Sequence, residues 1–229
     1  MIRSVFTLFC LLAVTVLFGQ RETEVGLHLG AATYQGDLSV GPFNTKEVNP
    51  ALGVVYRKLF TPRLALRANA IWARISGNDV DFGRNDRGLE FQSGLLEFAV
   101  QGEWHPMGRA RFTNQGFFTR AFSPFIAIGA GMTFGGADVD VVTPTGSYTN
   151  ESEEVSSFFI LPINLGIRLD ISETWTVTLD AGARATFSDL LDGVSINNNN
   201  GSADSKDWYL MGGLTFLYTF EAENGSFDY

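Results

Sequence analysis

Thr174-Trp175-Thr176-Val177-Thr178-Leu179-Asp180-Ala181-Gly182-Ala183-Arg184-Ala185-Thr186 alternates without a break: every even position is polar or glycine, and every odd one is apolar. A period of two over that length marks a strand with two unlike faces, longer than the usual strand of about five or six residues in a soluble domain. Its partner, Trp208 to Phe220, sets Trp208, Leu210, Leu214, Phe216, Tyr218 and Phe220 on one face. Tyr209, Met211, Gly213, Thr215 and Thr219 take the other. Asp180 and Arg184 place full charges mid-strand. In a soluble barrel such charges face water; in a membrane barrel the apolar face meets lipid and the charges enter the lumen. One hairpin leaves both open.

The pattern recurs upstream. Strands are expected over about Glu24 to Tyr34, Asn49 to Phe60, Leu64 to Trp72, Leu89 to Trp104, Ser123 to Phe134 and Ser157 to Leu169. With the hairpin this makes about eight, an even number, as a closed antiparallel bacterial barrel requires. Connectors after the first, third, fifth and seventh strands are long and polar, whereas Thr61-Pro62-Arg63 and Asp170 to Glu173 are tight turns. Long loops at one end and short turns at the other is the outer-membrane arrangement, with both termini periplasmic. Aromatics sort the same way. Tyr34, Trp72, Phe134, Phe159, Phe187 and Trp208 fall at the outer end of the apolar face, and Tyr56, Phe60, Trp104, Trp175, Tyr218 and Phe220 at the inner end. Two such belts suit the two membrane interfaces, where a ring offers an apolar body and a polar edge. The fold expected is an all-β transmembrane barrel.

Met1 to about Gln20 reads as a cleaved secretory signal, with Arg3 at its basic end and an apolar run from Ser4 to Phe18, leaving residues 21–229 as one barrel domain. Cys10, the only cysteine, falls inside that signal, so the mature chain has no thiol for disulfides or catalysis. The chain carries 16 basic and 25 acidic residues, a net charge of −9, which argues against nucleic-acid binding.

The lumen face carries Glu24, Glu97, Glu103 and Asp180 against Arg57, Arg67, Arg168 and Arg184. An eight-stranded interior is just wide enough for side chains to fill it, so these are expected to form an ion-pair network rather than line a pore. Balanced signs also speak against a selective channel, which wants a ring of one sign. His28 and His105 lack metal-site spacing, and Asp138-Val139-Asp140 and Glu153-Glu154 lack the glycine-centred calcium loop. No catalytic group, cofactor or small-molecule substrate is expected.

All four long outer connectors are net acidic, most strongly Gly135 to Ser157. The exceptional connector is His105 to Phe122, long for the turn side. It holds Arg109, Arg111 and Arg120, no acid, and Phe112, Phe117, Phe118 and Phe122. Arginine and aromatic residues together are enriched at protein interfaces, so Arg109, Arg111, Phe117, Phe118 and Arg120 are candidates for contact with a partner.

Several stretches resemble one family. Tyr34-Gln35-Gly36-Asp37-Leu38 is similar to the Y-x-G-D-L end of the first strand in the PorG-like outer-membrane barrels of Bacteroidota, the DUF6089 family. The likeness continues through Ala65-Leu66-Arg67-Ala68-Asn69 and Arg74-Ile75-Ser76-Gly77-Asn78-Asp79. It is sharpest at Arg184-Ala185-Thr186-Phe187-Ser188-Asp189-Leu190-Leu191-Asp192-Gly193-Val194-Ser195 and at Asp207-Trp208-Tyr209-Leu210-Met211-Gly212-Gly213. The sequence departs from the family pattern at Ser188, Leu190 and Gly193, and at Gly94, where the family pattern has proline. The resemblance implies a non-enzymatic component of the type IX secretion and gliding machinery, associated with the periplasmic PorK/PorN lipoprotein ring. Two alternatives stand beside it: a structural or surface-interaction barrel of the small OmpA or opacity kind, and a soluble lipocalin-like exported barrel that binds a ligand inside.

Overall fold

A computed structural model describes residues 23–35, 47–78, 89–108, 117–142, 148–152, 156–186 and 208–220. The segment expected to be a signal, Arg109, Arg111, Phe112, Phe187 and the asparagine-rich stretch at 197–200 lie outside them. The described residues contain no helix. The strands are β1 (Thr23–Gln35), β2 (Asn49–Thr61), β3 (Leu64–Asn78), β4 (Leu89–Trp104), β5 (Phe122–Val142), β6 (Tyr148–Ser152), β7 (Ser156–Asp170), β8 (Trp175–Thr186) and β9 (Trp208–Phe220).

Eight of them close a barrel. Sequence neighbours pair antiparallel all the way round, and β1 pairs β9 from Thr23↔Phe220 to Gln35↔Trp208, so neither edge stays open. Closure satisfies every strand's hydrogen bonds inside the sheet, the one β solution available in hydrocarbon. Strand lengths of 12 to 16 residues in most elements exceed the roughly 9–11 needed to cross a bilayer at a tilt.

The ninth strand is an addition to the expected count. Gly135 to Ser157 reads as a loop in sequence, yet β5 runs on to Val142 and β6 pairs with it from Asp138↔Ser152 to Val142↔Tyr148. Between β5 and β7 the ladder skips Gly129 and Ala130, opposite Leu161 and Pro162, because Pro162 has no N–H to give.

Local chemistry makes the two tight turns. Thr61 Oγ1 accepts from the backbone N–H of Arg63 (3.2 Å) and Leu64 (2.9 Å). Ser172 Oγ accepts from those of Thr174 (3.3 Å) and Trp175 (3.0 Å). Each hydroxyl satisfies donors that the reversal leaves without a ladder partner. The end with these turns, Thr23 and Phe220 is called the turn end below, and the opposite one the loop end.

The polarity of the barrel is inside out. Mid-strand apolar residues face outward and are exposed, among them Leu27 (61 %) and Leu165 (62 %). Arg57, Arg67, Arg168 and Arg184 are the largest fully buried side chains. Water would solvate the reverse arrangement; lipid solvates this one. The barrel therefore spans a membrane.

Candidate functional site: a charged lumen beneath an apolar layer

Alternation along each strand sends the charges inward, and closure brings strands far apart in sequence to face one another. Toward the turn end, Arg168 on β7 grips Glu24 on β1. Its Nη1 donates to Oε2 at 2.9 Å and its Nη2 donates to Oε1. The same guanidinium reaches Asp170 Oδ1 (3.3 Å) and Thr176 Oγ1 (3.1 Å), and Thr176 in turn donates to Asp170 at 2.7 Å. Arg57 bridges Glu103 (2.8 Å) and Glu24 (3.5 Å).

Nearer the middle, Arg67 pairs with Asp180 at 3.2 Å and approaches Glu103 at 4.0 Å. Asp180 also accepts from Asn164 at 2.6 Å, and Asn164 accepts from Gln101 at 3.2 Å. Beyond these, Glu97 accepts from Asn69 (3.1 Å), Arg184 (3.2 Å) and the Tyr209 hydroxyl (2.8 Å). Four arginines thus meet five carboxylates in a space closed to bulk water. Glu24, Glu97 and Asp180 accept further hydrogen bonds of the kind a buried charge requires, whereas Arg67 Nε and Nη2 and Glu103 Oε2 are buried without a hydrogen-bond partner among the described residues.

The histidines are part of this packing. His28 Nδ1 lies 2.9 Å from Thr215 Oγ1. His105, just past β4, holds Ser123 Oγ at 3.0 Å, stacks against Phe125 and sits 3.5 Å from Glu103. Burial holds its imidazole below the usual histidine range, against the pull of Glu103. No cluster of three metal-ligating side chains occurs among the described residues.

Toward the loop end the lumen changes character. Ala32, Ala51, Ile71, Ala73, Ile75, Leu95, Phe158, Ile160, Tyr209 and Met211 form one buried apolar cluster. Tyr209 joins the two layers: its ring belongs to the cluster while its hydroxyl reaches Glu97 and Thr133 (2.9 Å). The strand reading in sequence sets Tyr209 and Met211 on this face but omits the rest of the layer and also Phe125, which points inward beneath Arg57 at 5.7 Å. A signal was there: Ala70-Ile71-Trp72-Ala73 and Phe158-Phe159-Ile160-Leu161 are apolar on both faces, the mark of a stretch covered on both sides. Asp170 reads in sequence as a turn residue, but β7 runs to it and carries its side chain into the network.

Outside, Trp72, Phe134 and Phe159 are exposed toward the loop end and Tyr56, Trp104, Trp175, Tyr218 and Phe220 toward the turn end. Trp175, Tyr218 and Phe220 pack edge to face, with centroids 5.2 Å apart in each pair. Trp208 is half-buried, and Tyr34 stands in register with Tyr209 at the loop end of β1. Of the connector candidates, Phe117 and Arg120 are exposed and Phe118 is half-buried. Phe118 and Arg120 line an open groove with Ile171, Ser172, Glu173 and Thr174.

The chain belongs to the DUF6089 family, described as a domain of unknown function, whose profile matches residues 2–227. Among curated proteins none matches it significantly. Similar solved structures include Ail, the attachment invasion locus protein of Yersinia pestis, in complex with sucrose octasulfate, at 12% identity and a TM-score of 0.48, covering 88% of this chain and 99% of that one. The N-terminal β-barrel domain of Pseudomonas aeruginosa OprF gives 11% and 0.47, covering 88% and 100%. P. aeruginosa OprG gives 11% and 0.47, covering 88% and 97%. These likenesses concern the fold alone.

Proposed function

From the family membership and the inside-out polarity together, we propose that this chain is a non-enzymatic outer-membrane barrel. In this reading it anchors the periplasmic PorK/PorN lipoprotein ring of the type IX secretion machinery. The turn end then lies in the periplasm and the acidic loops outside. The observation that supports a docking role is the turn end itself. Met107 (72 %), Phe117 (68 %) and Ile171 (52 %) are exposed there beyond the strands, beside exposed Arg63 and Arg120. Apolar side chains above the aromatic belt have no lipid to meet, and a cationic, phenylalanine-rich rim is the composition that protein interfaces use. Arg109 and Arg111 add two more cations to the same connector.

The test is charge reversal. Arg109→Glu with Arg111→Glu is expected to leave a folded, membrane-inserted barrel that no longer co-purifies with ring lipoproteins and no longer supports secretion. Unchanged secretion and co-purification would end the proposal. They would favour the surface-interaction barrel, whose working parts are the acidic loops.

A further inference from the structure

Two full charges stand on the described outward face of the barrel strands, and both are cations: Lys58 near the turn end and Arg74 near the loop end. Arg74 lies at a boundary. One row toward the turn end, the register aligns apolar Leu52, Trp72, Leu96 and Phe134. One row toward the loop end, Ser76 faces Gln92, and the Ser76 hydroxyl accepts from the Asn49 amide at 3.0 Å. The apolar band thus ends at Arg74. In its own row the neighbours across β4 and β5 are Gly94 and Gly136, so no side chain follows it. The Arg74 guanidinium lies over the Trp72 ring, 5.4 Å from its centroid, and no carboxylate among the described residues pairs with it. A Cβ at Gly94 would meet only the Trp72 indole nitrogen, at 4.0 Å.

We propose that Arg74, the Trp72 indole N–H and the open row at Gly94 form a binding site for the phosphate of an acidic membrane lipid in the leaflet at the loop end. A guanidinium presents a planar fork of donors that matches phosphate oxygens, and stacking on the indole holds that fork in one orientation. The indole N–H supplies a separate donor at the edge of the gap. The gap gives the headgroup room to come within hydrogen-bonding reach of both, at the depth where hydrocarbon gives way to polar groups. Snorkelling of a long cation toward the interface accounts for a charge at this level, but not for the vacant row beside it. Lys58 marks the contrast, because Leu66 and Thr23 stand opposite it and leave no such gap.

The experiment uses the full-length barrel in phosphatidylcholine nanodiscs containing a minority of phosphatidic acid, with diacylglycerol of the same chains as the phosphate-free control. Native mass spectrometry reads the lipid that stays bound. Wild type is expected to retain phosphatidic acid severalfold over diacylglycerol, undisturbed by added inorganic phosphate. Arg74→Gln loses that preference. Gly94→Leu, which the fold has room for, loses it too, by filling the row while leaving the charge. Lys58→Gln keeps it. Equal retention by wild type and Arg74→Gln, retention by Gly94→Leu, or equal loss in Lys58→Gln would overturn the site. Displacement by inorganic phosphate would overturn the lipid as its ligand.

Discussion

Arg168 and Glu24, 144 residues apart in the chain, close a two-pronged ion pair across the barrel interior. They sit on β7 and β1, which the sheet separates by β8 and β9, so the pair ties together strands that share no backbone hydrogen bond. Loss of Arg168 leaves Glu24 its longer contact with Arg57, at 3.5 Å, and the hydrogen bond from Thr219 Oγ1, at 3.3 Å.

Arg168→Met is therefore expected to cost about 3–5 kcal/mol, the typical penalty for breaking a buried pair from one side. Urea-dependent unfolding in lipid vesicles, followed by tryptophan fluorescence, measures it. Glu24→Gln in the same chain should recover part of the loss, and only part, because Asp170 still loses its contact with Arg168. A single variant as stable as wild type would contradict the pairing.

Glu97 offers a graded test, since three different donors converge on it. Tyr209→Phe removes one neutral donor and keeps the ring in the apolar layer, for an expected cost of about 1 kcal/mol. Glu97→Ala strips the buried Arg184 of its carboxylate, for an expected cost of about 3–5 kcal/mol. The same unfolding assay ranks them, and the reverse order would show that Tyr209, rather than the charge pair, holds this layer.

Among the described residues a buried apolar layer lies over a buried charged one, and side chains that fill so narrow a lumen are expected to interrupt any wet path through it. The purified barrel in a planar bilayer is expected to give no stable stepwise conductance. Reproducible single-channel steps would mean that the cluster around Ile71, Leu95 and Phe158 opens.

Two glycines should behave oppositely. A Cβ at Gly129 would lie 2.0 Å from the carbonyl oxygen of Val100, where the β4–β5 backbones have no slack. Gly129→Ala is expected to lower the yield of heat-modifiable, folded barrel sharply. Gly94→Ala, entering open space, leaves that yield unchanged. Equal folding of the two variants would contradict the close approach of β4 and β5.

The strand faces were legible in the sequence because period two is insensitive to where a strand sits. Thr174 to Thr186 reads correctly from alternation alone, with Thr176, Thr178, Asp180, Arg184 and Thr186 all buried inward. Partnership was not legible. Which arginine meets which carboxylate depends on height along the axis, and strand tilt and stagger set that height. Nothing in the spacing of Glu24 and Arg168 announces their contact. The apolar layer escaped for a related reason: a strand apolar on both faces carries no alternation to read, and Ile71 and Phe158 lie in such stretches, while Ile75, between outward Arg74 and Ser76, reverses the usual polarity of the two faces. The extension of β5, and with it the pairing of β6, escaped because Asp138 and Asp140 resemble a solvated loop, although Ala137, Val139 and Val141 alternate with them at the strand period.

In the proposed role, the turn end of the barrel holds a periplasmic partner. A detergent pull-down of the tagged, full-length barrel from native outer membranes, with mass spectrometry of the proteins recovered, tests it directly. Ring lipoproteins recovered with wild type are the result expected. A clean, heat-modifiable barrel recovered without them would contradict the anchoring role and leave a membrane barrel that works through its acidic loops.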